Sequence, residues 1–349
     1  YTICFGMGYT WQQGLAIVFI SGLIFLAISI SPIRKQIIDS IPAPLKAAIS
    51  AGIGLFICLI GLLNAGIVSA GNNLLDLSSI TSGPALLALI GLIITGILMA
   101  WKVKGALFIG ILVTTVIGIP MGVTNLSNVS ISFEGISIAP TFFKLSFVGL
   151  LSKGILPLLT AIVTFAMCDC FDTVGTLIGT AGSAGMLDEN GNLPRGDKAL
   201  IADAVATCTG ALMGTSTVTT FVESSTGISE GARTGLSSVV VGILFLLGCV
   251  LAPIAGIIPS AATAPALIIV GMFMIGNVAK IDWSDVEVAL PCFLTIAMMP
   301  FAYSISDGIG FGFISYTLIK MARGKFKEVP VLLYILSALF VVMYILAAL

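Results

Sequence analysis

The sequence predicts an all-α polytopic membrane protein, and three observations carry that expectation. Apolar runs of about 20 residues, long enough to cross a hydrocarbon core as helices, recur along the whole chain. Only 9% of the 349 residues are charged and 58% are hydrophobic, whereas a soluble domain carries roughly 25% charge. A globular core of this size could not hide that excess. The runs also fail to alternate between apolar and polar residues, as a transmembrane β-barrel would require.

The elements follow in order. A partial apolar segment covers about 1–8, and spans follow at about 11–30, 46–63, 83–101 and 105–121. Residues 122–152, polar and then amphipathic, read as an outer loop with a surface helix; Asn125 and Asn128 there stand in N-x-S sequons, meaningful only in a cell that glycosylates. Spans resume at about 154–179, 199–213, 215–229, 235–258, 264–279, 287–303, 305–321 and 330–349. Thirteen of the fifteen Lys and Arg fall in every second loop: Arg34, Lys35 and Lys46; Lys102 and Lys104; Arg195 and Lys198; Arg233; Lys280; then Lys320, Arg323, Lys325 and Lys327. Loops 64–82 and 259–263 hold no Lys or Arg. The positive-inside rule places the basic set in the cytoplasm.

Other classes are excluded on composition. The net charge of −1 has no basic block, so nothing points to nucleic acid. There is no histidine, hence no imidazole relay or metal ligand, and the seven cysteines form no CxxC pair and read as small packing residues. No cofactor and no metal site are expected. The "GIGFGF" near Asp307 has no strand–helix context and is not a dinucleotide fingerprint.

Two parts of the chain resemble each other. Gly14 and Gly235 are 221 residues apart, as are Pro32 and Pro253, and Pro44 and Pro265. By the loop charges, 11–30 runs inward and 235–258 outward, which is the signature of inverted repeats in secondary transporters. The chain opens on Tyr1 inside an apolar run, and the counterpart of Asp169 would fall about 50 residues ahead of it. The expectation is therefore that two spans and the start of a third precede Tyr1 in the intact protein.

Three stretches break the apolar rule. "FAMCDCFDTVGTLIGTAG", residues 165–182, puts Asp169 and Asp172 on one helix face, flanked by Thr173 and Thr176 and thinned by Gly175 and Gly179. An intramembrane carboxylate costs about 2.5–3.5 kcal/mol on insertion scales and usually lines a pathway. The second, residues 210–235, has a centre from Thr215 to Thr220 that reads as extended. A span broken there leaves backbone groups free for protein, water or a ligand. Glu223 follows at the start of a half-helix, where the dipole favours negative charge. The third comprises Asp307, read as a cap or interfacial acid, and Asp203, read as a support paired with Arg195, Lys198 or Arg233. Glu230 and Arg233 read as a loop pair.

The runs "CDCFDTVGTLIGTAG", "GTSTVTTFVESSTGISEGARTGLSSVVVGILF" and "APALIIVGMFMIGNVAKIDW" closely resemble the adenine–guanine–hypoxanthine permeases, the AzgA-like branch of the nucleobase–cation symporters. The resemblance spans essentially the whole chain. It implies 14 spans in two inverted repeats of seven, with core and gate domains, and with short strands in the third and tenth spans. On that template 1–30 and 153–258 belong to the core domain, 31–121 and 259–349 to the gate, with 122–152 as the outer loop. The span at 154–179 is the eighth and that at 215–229 the tenth; the third-span contact lies ahead of Tyr1. The helix at 330–349 is one more than the template needs.

The resemblance implies import of a purine base by proton symport, and no enzymatic activity. It matches Asp169 and Asp172 to the family's eighth-span acid pair and Glu223 to its tenth-span carboxylate, all three at the substrate; by their position beside these acids, Thr220, Phe221, Val222 and Phe171 are the further candidates for substrate contact. Glu223 is the principal acceptor, and Phe171 or Phe221 could stack on the ring. Asp169, Asp172 and Glu223 are also the proton-coupling candidates, since acids this close titrate together. Sodium is the other candidate ion, and related folds often dimerise through the gate domain. A plasma-membrane location, the bacterial inner membrane, follows. Two alternatives stand: an anion carrier of the related sulfate/bicarbonate fold, and an intramembrane aspartyl protease. The first would want a cation or bare helix amino-termini facing the anion; the second would want two acids on different helices and a GxGD sequence, which is absent.

Overall fold

The computed structural model describes residues 4, 8–31, 40–69, 75–125, 137–183, 185–188, 193–221, 224–229 and 231–348. It is helical, as expected, with α1 Trp11–Ile30, α2 Ala43–Asn64, α3 Gly83–Ala100, α4 Ala106–Gly118, α5 Ile155–Ser183, α6 Gly196–Met213, α7 Ser224–Ser229, α8 Gly235–Ala255, α9 Ser260–Ile275, α10 Val286–Phe301, α11 Ile305–Ala322 and α12 Val331–Ala348. Four stretches, Trp11–Ile30, Ala43–Asn64, Gly83–Ala100 and Ser260–Lys280, are long and apolar enough to cross a membrane. Shorter apolar helices stand at Ala106–Gly118, Gly235–Cys249, Val286–Phe301 and Val331–Ile345.

Local chemistry sets the helix starts. Thr10 caps α1 through a reciprocal pair with Gln13. Asp285 accepts from the Glu287 backbone to open α10, and Ser304 does the same for Asp307 in α11. Asp307 is thus an acid in the first turn of α11, and the cap is Ser304 rather than Asp307.

Two compact units are present. The first holds 1–53, 137–222 and 274–349. Within it α1 packs on α5 and α6, and α11 lies between α10 and α12 and also touches α5. An apolar cluster of Tyr9, Ala16, Ile17, Leu158 and Ile162 is covered by Leu150. Gly22 lets α1 approach α6, because a Cβ there would lie 3.0 Å from both Thr207 and Cys208; close backbone approach at small residues is the usual glue between membrane helices. The second unit holds 54–136 and 223–273, with its own cluster around Leu87, Ala88, Ala261 and Ala264. The strands Val68–Ser69 and Asp76–Leu77 pair antiparallel in this unit. The apolar residues of α8 from Ile243 to Leu247 are exposed, the surface a hydrocarbon-facing helix carries.

Two expectations are corrected. The surface helix expected within 122–152 is absent from its described part: 137–149 form turns and Leu150–Lys153 a 3₁₀ helix. Phe143 adopts φ 54°, and its N–H donates to Leu212 while Thr141 donates to Met213, so this backbone is committed to the end of α6. Residues 215–221 are non-helical as expected, but no strand is assigned to them; among the described residues the strands are those at 68–69 and 76–77.

Candidate functional site

The site builds outward from α5. Over this helix the acids Asp169 and Asp172 are followed by Thr173, Thr176 and Thr180, all three threonines buried. Asp169 is 2% exposed, and neither of its carboxylate oxygens has a hydrogen-bond partner among the described residues. Thr207 stands beside it on α6 but donates to the Val218 carbonyl at 3.1 Å. A buried carboxylate without a donor is expensive: leaving one unsatisfied costs more than a neutral group's 1–3 kcal/mol. Asp172 has a donor, since Ser306 of α11 reaches its Oδ1 at 3.0 Å.

Asp203 ties the interrupted segment to this helix. Its Oδ2 accepts from Thr173 of α5 at 2.6 Å, and its Oδ1 accepts from Thr220 at 2.8 Å. The expected pairing with Arg195 or Lys198 is therefore corrected: two threonine hydroxyls satisfy this carboxylate. The physical reason is position. Asp203 lies two turns into α6 and 7% exposed, where hydroxyls of neighbouring elements are within reach and a cation would have to be desolvated. Gly210 completes the anchor. A Cβ there would lie 2.5 Å from Val218 Cγ2, so only glycine lets 215–218 lie against α6. The polypeptide ends α6 at Gly214 in the left-handed region and then runs non-helical to Phe221.

The predicted residues fare as follows. Asp169, Asp172 and Thr220 fall in one neighbourhood of the first unit, with Asp203 as the member not assigned to the site from sequence. Thr220 gives its hydroxyl to Asp203. Phe221 is 60% exposed. Val222 and Glu223 lie outside the described residues, as does the side chain of Phe171. Glu230 is likewise outside them, and Arg233 donates to the Ile228 and Ala232 carbonyls. A spacing of Thr173 and Asp203 gives no hint of contact, so no linear signal could have found that pair.

The arrangement offers a buried acceptor with two free oxygens, next to two further carboxylates held by hydroxyls. Such a group can take N–H donors from a small polar guest, or a proton.

Comparison with known proteins gives the family. The model of a family described as "Permease family" (Xan_ur_permease) matches residues 1–311. The guanine/hypoxanthine permease PbuG of Bacillus subtilis (strain 168) is 44% identical over 337 residues, covering 96% of this chain and 76% of that one. The adenine permease AdeP of Escherichia coli (strain K12) is 39% identical over 338 residues, covering 96% and 74%. Among solved structures, the transmembrane domain of the cyanobacterium bicarbonate transporter BicA superposes with a TM-score of 0.59 at 19% identity, over 85% of this chain and 76% of that chain. That likeness speaks for the fold alone.

Proposed function

From a chain that belongs to this permease family and is a multi-pass membrane protein rather than an enzyme, we propose import of purine nucleobases by proton symport. The observation that carries the reading is Asp169, a buried carboxylate on α5 with no donor among the described residues. A purine supplies what it lacks. Ring N–H groups donate to the carboxylate in short, charge-assisted bonds. The base must shed water to enter, and that loss is offset only where donors and acceptors match. Asp203, held by Thr173 and Thr220, positions the non-helical 215–221 stretch beside the same guest. Glu223, Val222, Phe221 and Phe171 complete the proposed contacts. Three carboxylates in one low-dielectric neighbourhood repel one another, and a proton on one of them relieves that repulsion. Loading a proton with the base thus couples the two.

The rest of the architecture belongs to the same proposal: seven-span inverted repeats, core and gate domains that rock to give alternating access, and a homodimer through the gate domain. The relatives' names divide between adenine and guanine/hypoxanthine, and both kinds of base are within the proposed range.

The fold neighbour transports bicarbonate, which keeps the anion carrier as a second reading. An anion would want a cation or bare helix amino-termini, yet the charged side chains acting on Asp169 among the described residues are Asp172 and Asp203. Uptake of labelled hypoxanthine into cells carrying Asp169→Asn or Glu223→Gln tests the proposal. Uptake with unchanged affinity in both variants would remove the assigned roles, and bicarbonate uptake without purine uptake would favour the second reading. Replacing external sodium with potassium separates the two coupling ions.

A further inference from the structure

A cavity of about 360 Å³ lies elsewhere in the first unit, at the far end of α5 from the acids. Its size falls within the range of small-ligand sites. Gly182 of α5 borders it, ten residues past Asp172, hence about 15 Å along the helix axis. Lys46, in the first turn of α2, and Lys280, at the end of the 3₁₀ turn after α9, also border it, and both belong to the basic set that the positive-inside pattern puts in the cytoplasm. The cavity is therefore a vestibule on the cytoplasmic side of the candidate site.

A packed layer separates the two. Gly175 and Gly179 face α2 and the end of α9: a Cβ on Gly175 would lie 3.2 Å from Ile49 and 3.3 Å from Ile53, and one on Gly179 would lie 2.7 Å from Met274. Ile49, Ile53 and Met274 are each no more than 1% exposed. These three side chains are apolar, and the vestibule beyond them is polar.

The polarity is specific. Asn277, 7% exposed, donates its amide nitrogen to Ser50 Oγ at 2.8 Å and to the Met274 carbonyl at 3.2 Å. Both of its N–H groups are thereby used. Its Oδ1 makes no hydrogen bond among the described residues and would lie 3.9 Å from a Cβ on Gly182. Ser50 accepts from Asn277 and keeps its own proton to give. The cavity thus presents an open acceptor beside an open donor, against the apolar wall of Ile178 and Leu187. A purine edge carries the complementary pair, an N–H next to a ring nitrogen or carbonyl oxygen, on a flat apolar face.

We propose that this vestibule is a second, weaker purine site, where a base released through the Ile49–Ile53–Met274 layer is held by Ser50 and Asn277 before it enters the cytoplasm. The inference rests on the purine-transport reading and goes beyond it by assigning a release station. Equilibrium binding of labelled hypoxanthine to the purified protein in nanodiscs should saturate at two equivalents per chain. Asn277→Leu should remove the weak equivalent and leave the tight one within twofold. Ser50→Ala, the milder change, should weaken the second equivalent roughly tenfold, as the loss of one neutral bond to the guest predicts. Asp169→Asn should do the converse. One equivalent in the wild type, or a second that neither Asn277→Leu nor Ser50→Ala weakens, would overturn the inference and leave the transport reading standing. Absence of binding and uptake of both hypoxanthine and adenine would instead overturn the transport reading. Should Asn277→Leu lose both equivalents through misfolding, Ser50→Ala decides.

Discussion

Two buried carboxylates in the same unit solve the same problem in opposite ways. Glu287, 7% exposed at the start of α10, accepts from Lys320 at 3.1 Å, Arg323 at 2.7 Å and Lys325 at 2.8 Å, and Lys320 also holds Glu328 at 2.7 Å. Asp169, 2% exposed on α5, accepts from nothing among the described residues. The first is a clasp that ties α10 to α11 and the loop behind it. The second has no donor among the described residues, a vacancy that the proposed purine would fill. A buried acid by itself therefore identifies neither a staple nor a site; the company of cations does.

The largest expected effect tests the vacancy. Asp169→Asn should lower purine uptake by roughly a hundredfold, since about 3 kcal/mol of charge-assisted bonding to the base is lost. Its thermal stability in detergent should hold or rise, because no internal bond is broken and an uncompensated charge is removed. A marked fall in Tm with uptake retained would turn Asp169 into a structural acid. The mirror experiment is Glu287→Gln. That change leaves Lys320, a buried cation, short of a partner, so Tm should fall by several degrees, while the apparent affinity for the purine in surviving protein stays unchanged. A loss of affinity there would erase the contrast.

Between these extremes stands Asp203, which borrows from both. Thr220→Val deletes one hydroxyl bond to a carboxylate and should cost roughly tenfold in uptake through misplacement of 215–221. Thr220→Ser should restore most of it, which a role in direct substrate contact by the methyl group would not allow. The smallest effect belongs to the exposed rim of the clasp. Glu328 is held below the ordinary glutamate value of 4.5, chiefly by the Lys320 hydrogen bond. A carboxylate lowered in this way stabilises the fold above its unfolded value and loses that contribution as pH falls through its folded one. Thermal stability should thus decline below about pH 4.5, and Glu328→Gln should flatten the decline slightly, as an exposed pair is worth little. A slope that is identical with and without Glu328 would place the acid sensitivity elsewhere.

Much of this was legible in the chain and some was not. The spans followed from run length, with α1 found at its predicted ends and α11 and α12 within a residue of theirs. The interruption after Gly214 followed from β-branched and hydroxyl residues where a helix would want straight chains. What failed was of a different kind. Asp203 has lysine and arginine near it in sequence and threonines near it in space. The amphipathic look of 137–149 was overruled by hydrogen bonds to the end of α6. Glu287 sits 33 residues ahead of the first of its three cations, and nothing in its local stretch marks it.

The sequence by itself determined that the chain is a bundle of membrane helices, where it breaks, and which acids are stranded in it, because the cost of polar groups in hydrocarbon is a property of each residue and its immediate neighbours. Only the tertiary structure decided which of those acids is satisfied and which is left open, because a hydrogen bond in a packed bundle depends on atoms tens of residues away arriving within about 3 Å.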